Sequence, residues 1–236
     1  MRLDVALVSQ NIYPTRARAV AAIRAGLVTV NGAVASKPSQ AVSDADVLTG
    51  GDLPYSVGRG SLKLERALDA FGVTPAGRVC LDIGASTGGF TSVLLARGAS
   101  RVIAVDVGTN QLVAELKNDA RVLSLEQTDI RTLRPVQPVD LVVIDVSFIS
   151  LADIAPILRA WGARDVIALI KPQFEVPRNV AARSSGVIKS RQWHEYAINR
   201  ATDAFRDAGF VRAGLAESPI HGGSGNVEFL AHFVAA

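Results

Sequence analysis

The chain has 236 residues, 49% of them hydrophobic and 20% charged, and a formal net charge of +3 at pH 7. This composition is typical of a soluble globular protein with an ample core, and the length allows one large domain or one ordinary domain with a small appendage. The single cysteine, Cys80, excludes a disulfide framework, and the three histidines lack the spacing of metal ligands.

The sequence gives no sign of export or of membrane insertion. Residues 1–10 include Asp4 and lack a long apolar core, so they do not resemble a secretory signal. No stretch reaches the roughly 18 uninterrupted apolar residues of a membrane helix. We therefore predict a cytoplasmic protein. Its small positive charge permits an anionic partner such as nucleic acid without requiring one, and no obligate protein partner is evident.

A cluster of glycine and proline between residues 50 and 60 predicts the domain boundary. Before it, the pattern predicts a helix from Leu3 and a second helix that is capped by Thr15 and runs through residues 24–26. Asn31-Gly32 between two apolar runs predicts a hairpin, and residues 45–48 predict a last strand. The expected domains are 1–52 and 61–236, with a linker over 53–60.

Two helices followed by Val-x-Val-Asn-Gly resemble the S4 RNA-binding domain, and the match covers nearly all of this first segment. The resemblance implies an RNA-binding face on the second helix and on the rim of the hairpin. The basic residues at matching positions are Arg2, Arg16, Arg18, Arg24 and Lys37. The alternative is that these residues form an ordinary solvated surface.

From residue 61 onward, strand and helix patterns alternate, which predicts an α/β fold with a doubly wound, Rossmann-like parallel sheet. The apolar runs that predict buried strands are 79–83, 102–105, 121–125, 139–146 and 166–170. The helical patterns are 61–71, 90–97, 110–117, 152–161 and 194–208. Residues 211–215 and 227–234 predict a final antiparallel hairpin at the edge of the sheet.

Residues 79–90 join a strand, a glycine-rich turn and a helix, an order that brings backbone N–H groups up to a ligand. The spacing Gly-x-x-x-Gly-Gly does not fit the dinucleotide pattern Gly-x-Gly-x-x-Gly. It resembles instead the first motif of S-adenosylmethionine-dependent methyltransferases. A nicotinamide oxidoreductase stays open as a less favoured alternative.

Acidic residues at the ends of the next two strands extend this prediction. A carboxylate accepts both protons of a ribose diol, and Asp106 follows the second strand, where such a group is expected. The resemblance implies that Asp129 reads the adenine amino group and that the glycine loop lines the methionine end. Alternatively, both acids are turn formers or helix caps. The predicted cofactor-binding residues are Asp82, Gly84, Ser86, Thr87, Gly88, Gly89, Phe90, Asp106, Asp129 and Ile130.

Four charged residues occupy positions where a charge is costly. Asp145 and Lys171 each follow an apolar strand directly, at the sheet edge where ligands of α/β folds bind. Glu228 interrupts a strand pattern, and Lys63 is predicted in the first turn of its helix, against the helix dipole. Mutual pairing would satisfy all four charges, and a purely structural ion-pair network is the alternative.

In chain order, these four residues resemble the Lys-Asp-Lys-Glu tetrad of FtsJ-like ribose 2′-O-methyltransferases. Together with the S4-like segment, the chain resembles the hemolysin-like TlyA family of ribosomal RNA methyltransferases over essentially its full length. The resemblance implies S-adenosylmethionine as cofactor, ribosomal RNA or a ribosomal subunit as partner, and Lys171 as general base. A non-catalytic RNA-binding protein with this fold and a membrane-active hemolysin remain the alternatives.

Residues 177–192 depart from the family pattern and contain several basic residues but no acidic one. The predicted RNA-binding residues in this segment are Arg178, Arg183 and Lys189. They suit a basic lid over a nucleic acid, although a solvated loop is the alternative.

Overall fold

The computed structural model describes residues 1–13, 16–51 and 59–236. The chain divides into two compact units, 1–57 and 58–236. The predicted helix cap Thr15 and most of the predicted linker lie outside the described residues.

The N-terminal unit contains two helices, α1 (Leu3–Ser9) and α2 (Arg16–Arg24), and a three-stranded antiparallel sheet. The strands are β1 (Val28–Val30), β2 (Ala33–Val34) and β3 (Leu48–Gly50), in the order β2-β1-β3. Asn31 and Gly32 both have positive φ, 52° and 81°, as the tight turn predicted between β1 and β2 requires. The buried core of this unit includes Leu3, Leu7, Ile23 and Val28.

The predicted last strand of this unit, 45–48, is wrong in its bounds. The observed strand begins at Leu48, which pairs with Val30. Asp46 belongs to a turn instead, because its carboxylate accepts hydrogen bonds from the Ser43 backbone and from the Asn31 side chain. Asn31 also accepts a hydrogen bond from the Val47 backbone at 2.8 Å. Side-chain bonds thus hold residues 43–47 in a turn that the local apolar pattern does not reveal.

The C-terminal unit is built on a seven-stranded sheet, which confirms the predicted fold class. In sheet order the strands are β6-β5-β4-β7-β8-β10-β9, with the first five parallel and β10 antiparallel to both of its neighbours. Their bounds are β4 (Val79–Ile83), β5 (Arg101–Val105), β6 (Val122–Leu125), β7 (Leu141–Ile144), β8 (Asp165–Ile170), β9 (Phe210–Glu217) and β10 (Phe229–Ala235).

Helices cover both faces of this sheet. Their bounds are α3 (Arg59–Phe71), α4 (Gly89–Ala96), α5 (Ala114–Lys117), α6 (Pro172–Glu175), α7 (Arg178–Arg183) and α8 (Arg191–Asp207). Alternate residues of β4 point to opposite faces. Leu81 joins the core that contains Trp161 and Phe205, whereas the carboxylate of Asp82 accepts a hydrogen bond from Thr91 of α4.

Two predicted helices are shorter or different in the structure. The pattern over 110–117 yields only α5, because the Asn110, Gln111 and Leu112 backbone N–H groups donate to the Glu126 carboxylate instead of continuing a helix. The region 152–161 forms two 3₁₀ helices, Leu151–Asp153 and Ala155–Trp161. The second carries a proline in its first turn and is followed by the capping residue Gly162, which has a φ of 72°.

The strand order places a topological switch between β4 and β7. From β4 the chain proceeds outward to β5 and β6, and then returns to the opposite side of β4 as β7. A crevice opens at such a point beyond the carboxyl ends of the strands, which is where α/β sheets bind their ligands.

Candidate active site

A cavity of about 520 Å³ opens at this switch point. The carboxyl ends of β4, β5 and β7 and the segment after β6 form its walls. The residues that line it are Ile83, Gly84, Ser86, Val105, Asp106, Val107, Gly108, Gln111, Thr128, Asp129, Ile130, Arg131, Asp145, Val146, Ser147, Phe148, Ile149 and Ile154. The volume lies within the range of about 300–1,000 Å³ that is typical of small-molecule sites.

The glycine-rich turn between β4 and α4 needs its glycines for different reasons. Gly84 has a φ of 84°, and a Cβ atom there would lie 2.6 Å from the backbone oxygen of Asp145. The close approach of β4 to the end of β7 therefore requires glycine at this position. Gly88, with a φ of 100°, faces the side chains of Leu112 and Leu116. Glycine is required there because these two side chains leave no room for a Cβ atom behind the turn.

Asp106 lies in the cavity wall and is held by the backbone around it. Its carboxylate accepts a hydrogen bond from the Ser86 N–H at 2.8 Å and another from the Gly108 N–H at 2.7 Å. Each carboxylate oxygen retains a second lone pair, so Asp106 can still accept hydrogen bonds from a ligand. Asp106 therefore links the glycine-rich turn to the loop after β5 and fixes the shape of this wall.

Asp129 and Ile130 form another part of the wall. Asp129 is bound by its neighbour Arg131, whose side chain approaches to 2.6 Å, and this guanidinium lowers the pKa of the Asp129 carboxyl. Ile130 is buried and packs into the core. Arg131 itself lines the cavity, although no sequence signal distinguished it from an ordinary surface arginine.

Several predicted cofactor residues do not reach the cavity wall. Thr87 is exposed beside the turn, while Gly88 and Phe90 are buried. Asp82 is completely buried and accepts a hydrogen bond of 2.6 Å from the Thr91 hydroxyl, and burial raises its pKa to about 7. Gly89 lies close to α3, where a Cβ would approach the Ser61 nitrogen at 3.3 Å. The structure gives these residues a supporting place beneath or beside the turn.

Three of the four charged residues lie at adjacent strand ends. Asp145 follows β7 and Lys171 follows β8, while Glu228 immediately precedes β10. Because Phe229 pairs with Ile170, Glu228 comes opposite Lys171 at the same edge of the sheet. The Lys171 ammonium lies 2.7 Å from an Asp145 oxygen and donates a hydrogen bond of 3.0 Å to the Ser147 hydroxyl. Lys171 is thus bound to two residues of the cavity wall.

Lys63 completes the group through Glu228. The two side chains form a buried ion pair with a distance of 2.6 Å between Nζ and Oε2. The predicted placement of Lys63 in the first turn of its helix is wrong, because α3 begins at Arg59 and Lys63 falls in the second turn. The Glu228 carboxylate, and not the helix terminus, therefore defines the surroundings of this lysine.

Phe148 is a feature of the site that the sequence analysis missed. Its side chain is 91% exposed, although it is a large apolar residue that lines the cavity. Its backbone has a φ of 67°, in the left-handed region that large side chains rarely adopt. Its ring centroid lies 5.2 Å from that of Phe174, and the Lys171 ammonium lies 6.0 Å from the Phe174 centroid. An aromatic face is thus presented to solvent beside the lysine.

The predicted RNA-binding residues fall into two groups. In the N-terminal unit, Asp4 is only 1% exposed, and its carboxylate binds both Arg2 and Arg16 at 2.8–2.9 Å. The two arginines remain 50% and 59% exposed. Arg18 is half-buried, and Arg24 and Lys37 are exposed.

In the C-terminal unit, Arg178 and Arg183 are exposed at the two ends of α7. Lys189 is also exposed, between α7 and α8. The residue before it is held by two hydrogen bonds, because the Ile188 N–H donates to Asn226 and the Ile188 carbonyl bonds to the His194 ring.

Within residues 1–13, 16–51 and 59–236, no group of three or more histidine, cysteine or acidic side chains is placed to hold a metal ion. Over the same part of the chain, no helix has both the length and the apolar character needed to cross a bilayer.

Comparison with known families agrees with this geometry. Residues 56–234 match the FtsJ-like methyltransferase family, and residues 1–48 match the S4 domain. The 16S/23S rRNA (cytidine-2′-O)-methyltransferase TlyA of Mycobacterium tuberculosis is 44% identical over 236 residues, which cover 97% of this chain and 87% of that protein. The chain belongs to the TlyA family of FtsJ-like methyltransferases. It is therefore an enzyme of the S-adenosylmethionine-dependent methyltransferase class.

Solved structures support the same assignment. A Streptococcus thermophilus protein that is provisionally named a hemolysin is 43% identical, with a TM-score of 0.74, and the match covers 100% of this chain and 88% of that one. An S-adenosylmethionine-dependent methyltransferase from Mesorhizobium loti is 15% identical, with a TM-score of 0.53, over 72% of this chain and 96% of its own. At that low identity the second likeness concerns the fold alone.

Proposed function

We propose that this chain transfers a methyl group from S-adenosylmethionine to a ribose 2′-hydroxyl of ribosomal RNA. The observation that carries the proposal is the pairing of Lys171 with Asp145 and Ser147 at the wall of the switch-point cavity. A lysine held at the mouth of a small-molecule site is suited to take a proton from a nucleophile that binds there.

The cavity fits the proposed cofactor. Its volume of about 520 Å³ accommodates a nucleoside with an amino-acid tail, and its wall contains both acidic and apolar residues. We propose that Asp106 binds the ribose diol, that Asp129 and Ile130 contact the adenine, and that Gly84 and Ser86 face the methionine end. S-adenosylmethionine supplies the electrophilic methyl group.

The proposed role of Lys171 is that of general base. A ribose hydroxyl becomes a good nucleophile only when its proton leaves, and an unprotonated lysine nitrogen can accept that proton. Ser147 accepts a hydrogen bond from Nζ and the Asp145 carboxylate forms an ion pair with it, which would leave another position on Nζ for the hydroxyl. Alignment of the nucleophile would supply much of the remaining rate acceleration.

We assign the Lys63–Glu228 pair a neighbouring role in the same tetrad. The pair is buried and lies at the strand end next to Lys171. Its two charges cancel each other, so it adds no net charge next to the base. We propose that it fixes the position of β10 relative to α3 and orients the substrate ribose.

An RNA substrate also suits the exposed side chain of Phe148 and the basic residues of the two units. The exposed face of Phe148 is available to stack with a nucleobase, as aromatic side chains do in complexes with single-stranded RNA. We propose phosphate contacts for the basic residues Arg2, Arg16, Arg18, Arg24, Lys37, Arg178, Arg183 and Lys189. Because the mycobacterial relative is named for cytidines of 16S and 23S RNA, we propose a cytidine as the target nucleotide.

The deciding experiment measures the transfer of labelled methyl from S-adenosylmethionine to separated ribosomal subunits, with the wild type beside Lys171→Ala. We expect label in RNA with the wild type, located in 2′-O-methylcytidine after digestion, and none with the variant. Calorimetry should show that both proteins bind S-adenosylmethionine. A wild type that binds the cofactor but labels neither subunit would contradict the ribosomal assignment.

A further inference from the structure

The turn that follows β7 holds an unfavourable backbone conformation. Asp145, Ser147 and Phe148 belong to this turn, and Phe148 has its φ of 67° there. A large side chain keeps such a conformation only where its surroundings determine it, and strain of this kind concentrates at functional sites. The ring of Phe148 is itself 91% exposed, so packing of that side chain does not hold the turn.

A buried carboxylate provides the missing restraint. Glu175 is 1% exposed and accepts hydrogen bonds from the Ser150 hydroxyl at 2.6 Å and from the Leu151 backbone N–H at 2.7 Å. The Arg200 side chain of α8 lies 3.8 Å from the same carboxylate. Both oxygens of Glu175 are therefore engaged with the residues that end the turn.

Glu175 is also joined directly to the segment that carries the proposed base. Lys171 is the residue before α6, and Glu175 is the last residue of that helix. The turn of α6 is closed by hydrogen bonds from the Phe174 N–H to the Lys171 carbonyl and from the Val176 N–H to the Pro172 carbonyl. The first end of this single helical turn thus holds the Lys171 backbone, and Glu175 at its last residue binds the end of the turn after β7.

We propose that Glu175 is a positioning residue of the methyl-transfer reaction, which clamps the turn that carries Asp145, Ser147 and Phe148 against the helical turn that begins beside Lys171. This inference rests on the proposed function of Lys171. The clamp sets the distance between Lys171 and its two partners and keeps Phe148 at the mouth of the cavity. Glu175 touches neither substrate nor cofactor and acts only through these residues.

The clamp explains why a carboxylate is buried here at all. Burial disfavours the charged form and raises the pKa of Glu175 above its usual range, whereas the two hydrogen bonds and Arg200 oppose that effect. An apolar side chain of similar size accepts neither hydrogen bond, whereas an amide can keep both contacts, because the Ser150 hydroxyl can also accept from an amide N–H. Glu175→Leu therefore breaks both halves of the clamp with little change in volume.

The test compares Glu175→Leu, Ser150→Ala and the double variant with the wild type on the labelled ribosomal subunit. We expect each single variant to lower kcat about tenfold, because small misplacements of a reacting group reduce rates by that order or more. The dissociation constant for S-adenosylmethionine should stay unchanged. The double variant should be no slower than the worse single variant, because both substitutions break the same hydrogen bond.

Asp165→Asn is the matched control. Asp165 is the first residue of β8, at the edge opposite Lys171, and it binds Arg78 and His232 at 2.7 and 2.9 Å. Loss of this carboxylate destabilises the same strand without touching the clamp. With all proteins assayed equally far below their own Tm, the control should keep its kcat.

Three outcomes would overturn the positioning role while leaving the proposed function intact. They are a wild-type kcat in Glu175→Leu, an equal loss of kcat in Asp165→Asn, and additive losses in the double variant. A wild type that transfers no methyl group would instead contradict the proposed function itself.

Discussion

The N-terminal unit and the carboxyl edge of the seven-stranded sheet both pair acids with bases, but they bury different partners. In the N-terminal unit the acid Asp4 is buried, and the arginines that it binds remain about half exposed. At the sheet edge the lysines themselves are buried, with Asp145 and Glu228 beside them. The first arrangement presents fixed positive charge to solvent, which suits binding of a polyanion. The second withdraws a lysine from water, which suits the proposed role of Lys171 as a general base.

Lys171→Arg is expected to change activity most, and it tests the role of the buried lysine at the sheet edge. Arginine keeps the positive charge but does not release its proton, so it cannot act as a base. We expect kcat to fall by about 100-fold or more, in line with the loss of general base catalysis. Filter binding should show an unchanged affinity for the ribosomal subunit. An arginine variant with near-normal kcat would mean that Lys171 acts only through its charge.

Phe148→Ala has the next largest expected effect. Loss of one stacking face weakens binding to a base by about 1–3 kcal/mol, so we expect kcat/KM for RNA to fall about tenfold or more. Phe148→Trp keeps an aromatic face and should retain most activity. Val211 is also an exposed apolar residue, on β9 and outside the cavity wall, so Val211→Ala is the control. Equal losses in Phe148→Ala and Phe148→Trp would show that the role of Phe148 is not stacking.

Arg2→Ala and Arg16→Ala test the first half of the comparison and should change affinity alone. Each removes one exposed guanidinium, so we expect RNA binding to weaken several-fold, with a shallower dependence on salt, and kcat at saturating RNA to stay constant. Measurement of the dissociation constant at several salt concentrations separates this effect from a loss of folding. A lower kcat without a change in affinity would contradict the division of roles.

The smallest expected effect is a change of stability with pH, which is measured as the free energy of unfolding and not as activity. Burial raises the pKa of Asp82 to about 7, so between about pH 4 and 7 the folded protein keeps a proton that the unfolded chain releases. The free energy of unfolding should therefore fall as the pH rises through this window, with a slope no steeper than about 1.4 kcal/mol per pH unit from this group. Denaturant unfolding of Asp82→Asn should give a flatter curve over the same range.

Asp4 should behave in the opposite way. The hydrogen bond from Arg2 is the main cause that lowers the pKa of Asp4 to about 2. Its stabilising contribution is therefore complete above about pH 4 and is lost as the pH falls through 2. Asp4→Asn should lower stability at neutral pH, and the difference from the wild type should shrink in acid. Parallel curves for either variant would contradict the assigned partners.

Local patterns in the sequence were sufficient to predict the order of the strands and the glycine-rich turn at the switch point, but not the short helices α6 and α7. The apolar runs that form β4, β5 and β8 are bounded by turn or charged residues, so their pattern indicates buried strands without ambiguity. Asp145 and Lys171 directly follow the apolar runs of β7 and β8, so the sequence alone marks them as charges at the ends of strands.

What the sequence did not reveal depends on contacts between distant residues. Glu126 shortens α5 by accepting hydrogen bonds from three backbone N–H groups, and the sequence around residue 126 contains no signal that predicts them. The clamp of Glu175 joins residues 25 positions apart, and the exposure of Phe148 follows from a turn that most sequences would avoid. Apolar residues are usually assigned to the core, which is why Phe148 was overlooked.

The pairing of Lys63 with Glu228 has a consequence for biosynthesis. The two residues are 165 positions apart, so Lys63 emerges from the ribosome long before its partner. An unpaired buried lysine is strongly disfavoured, and contacts this distant in sequence form late and slowly during folding. We therefore expect the helix that carries Lys63 to reach its final packing against the sheet only after residue 228 has been synthesised and β10 has inserted between β8 and β9.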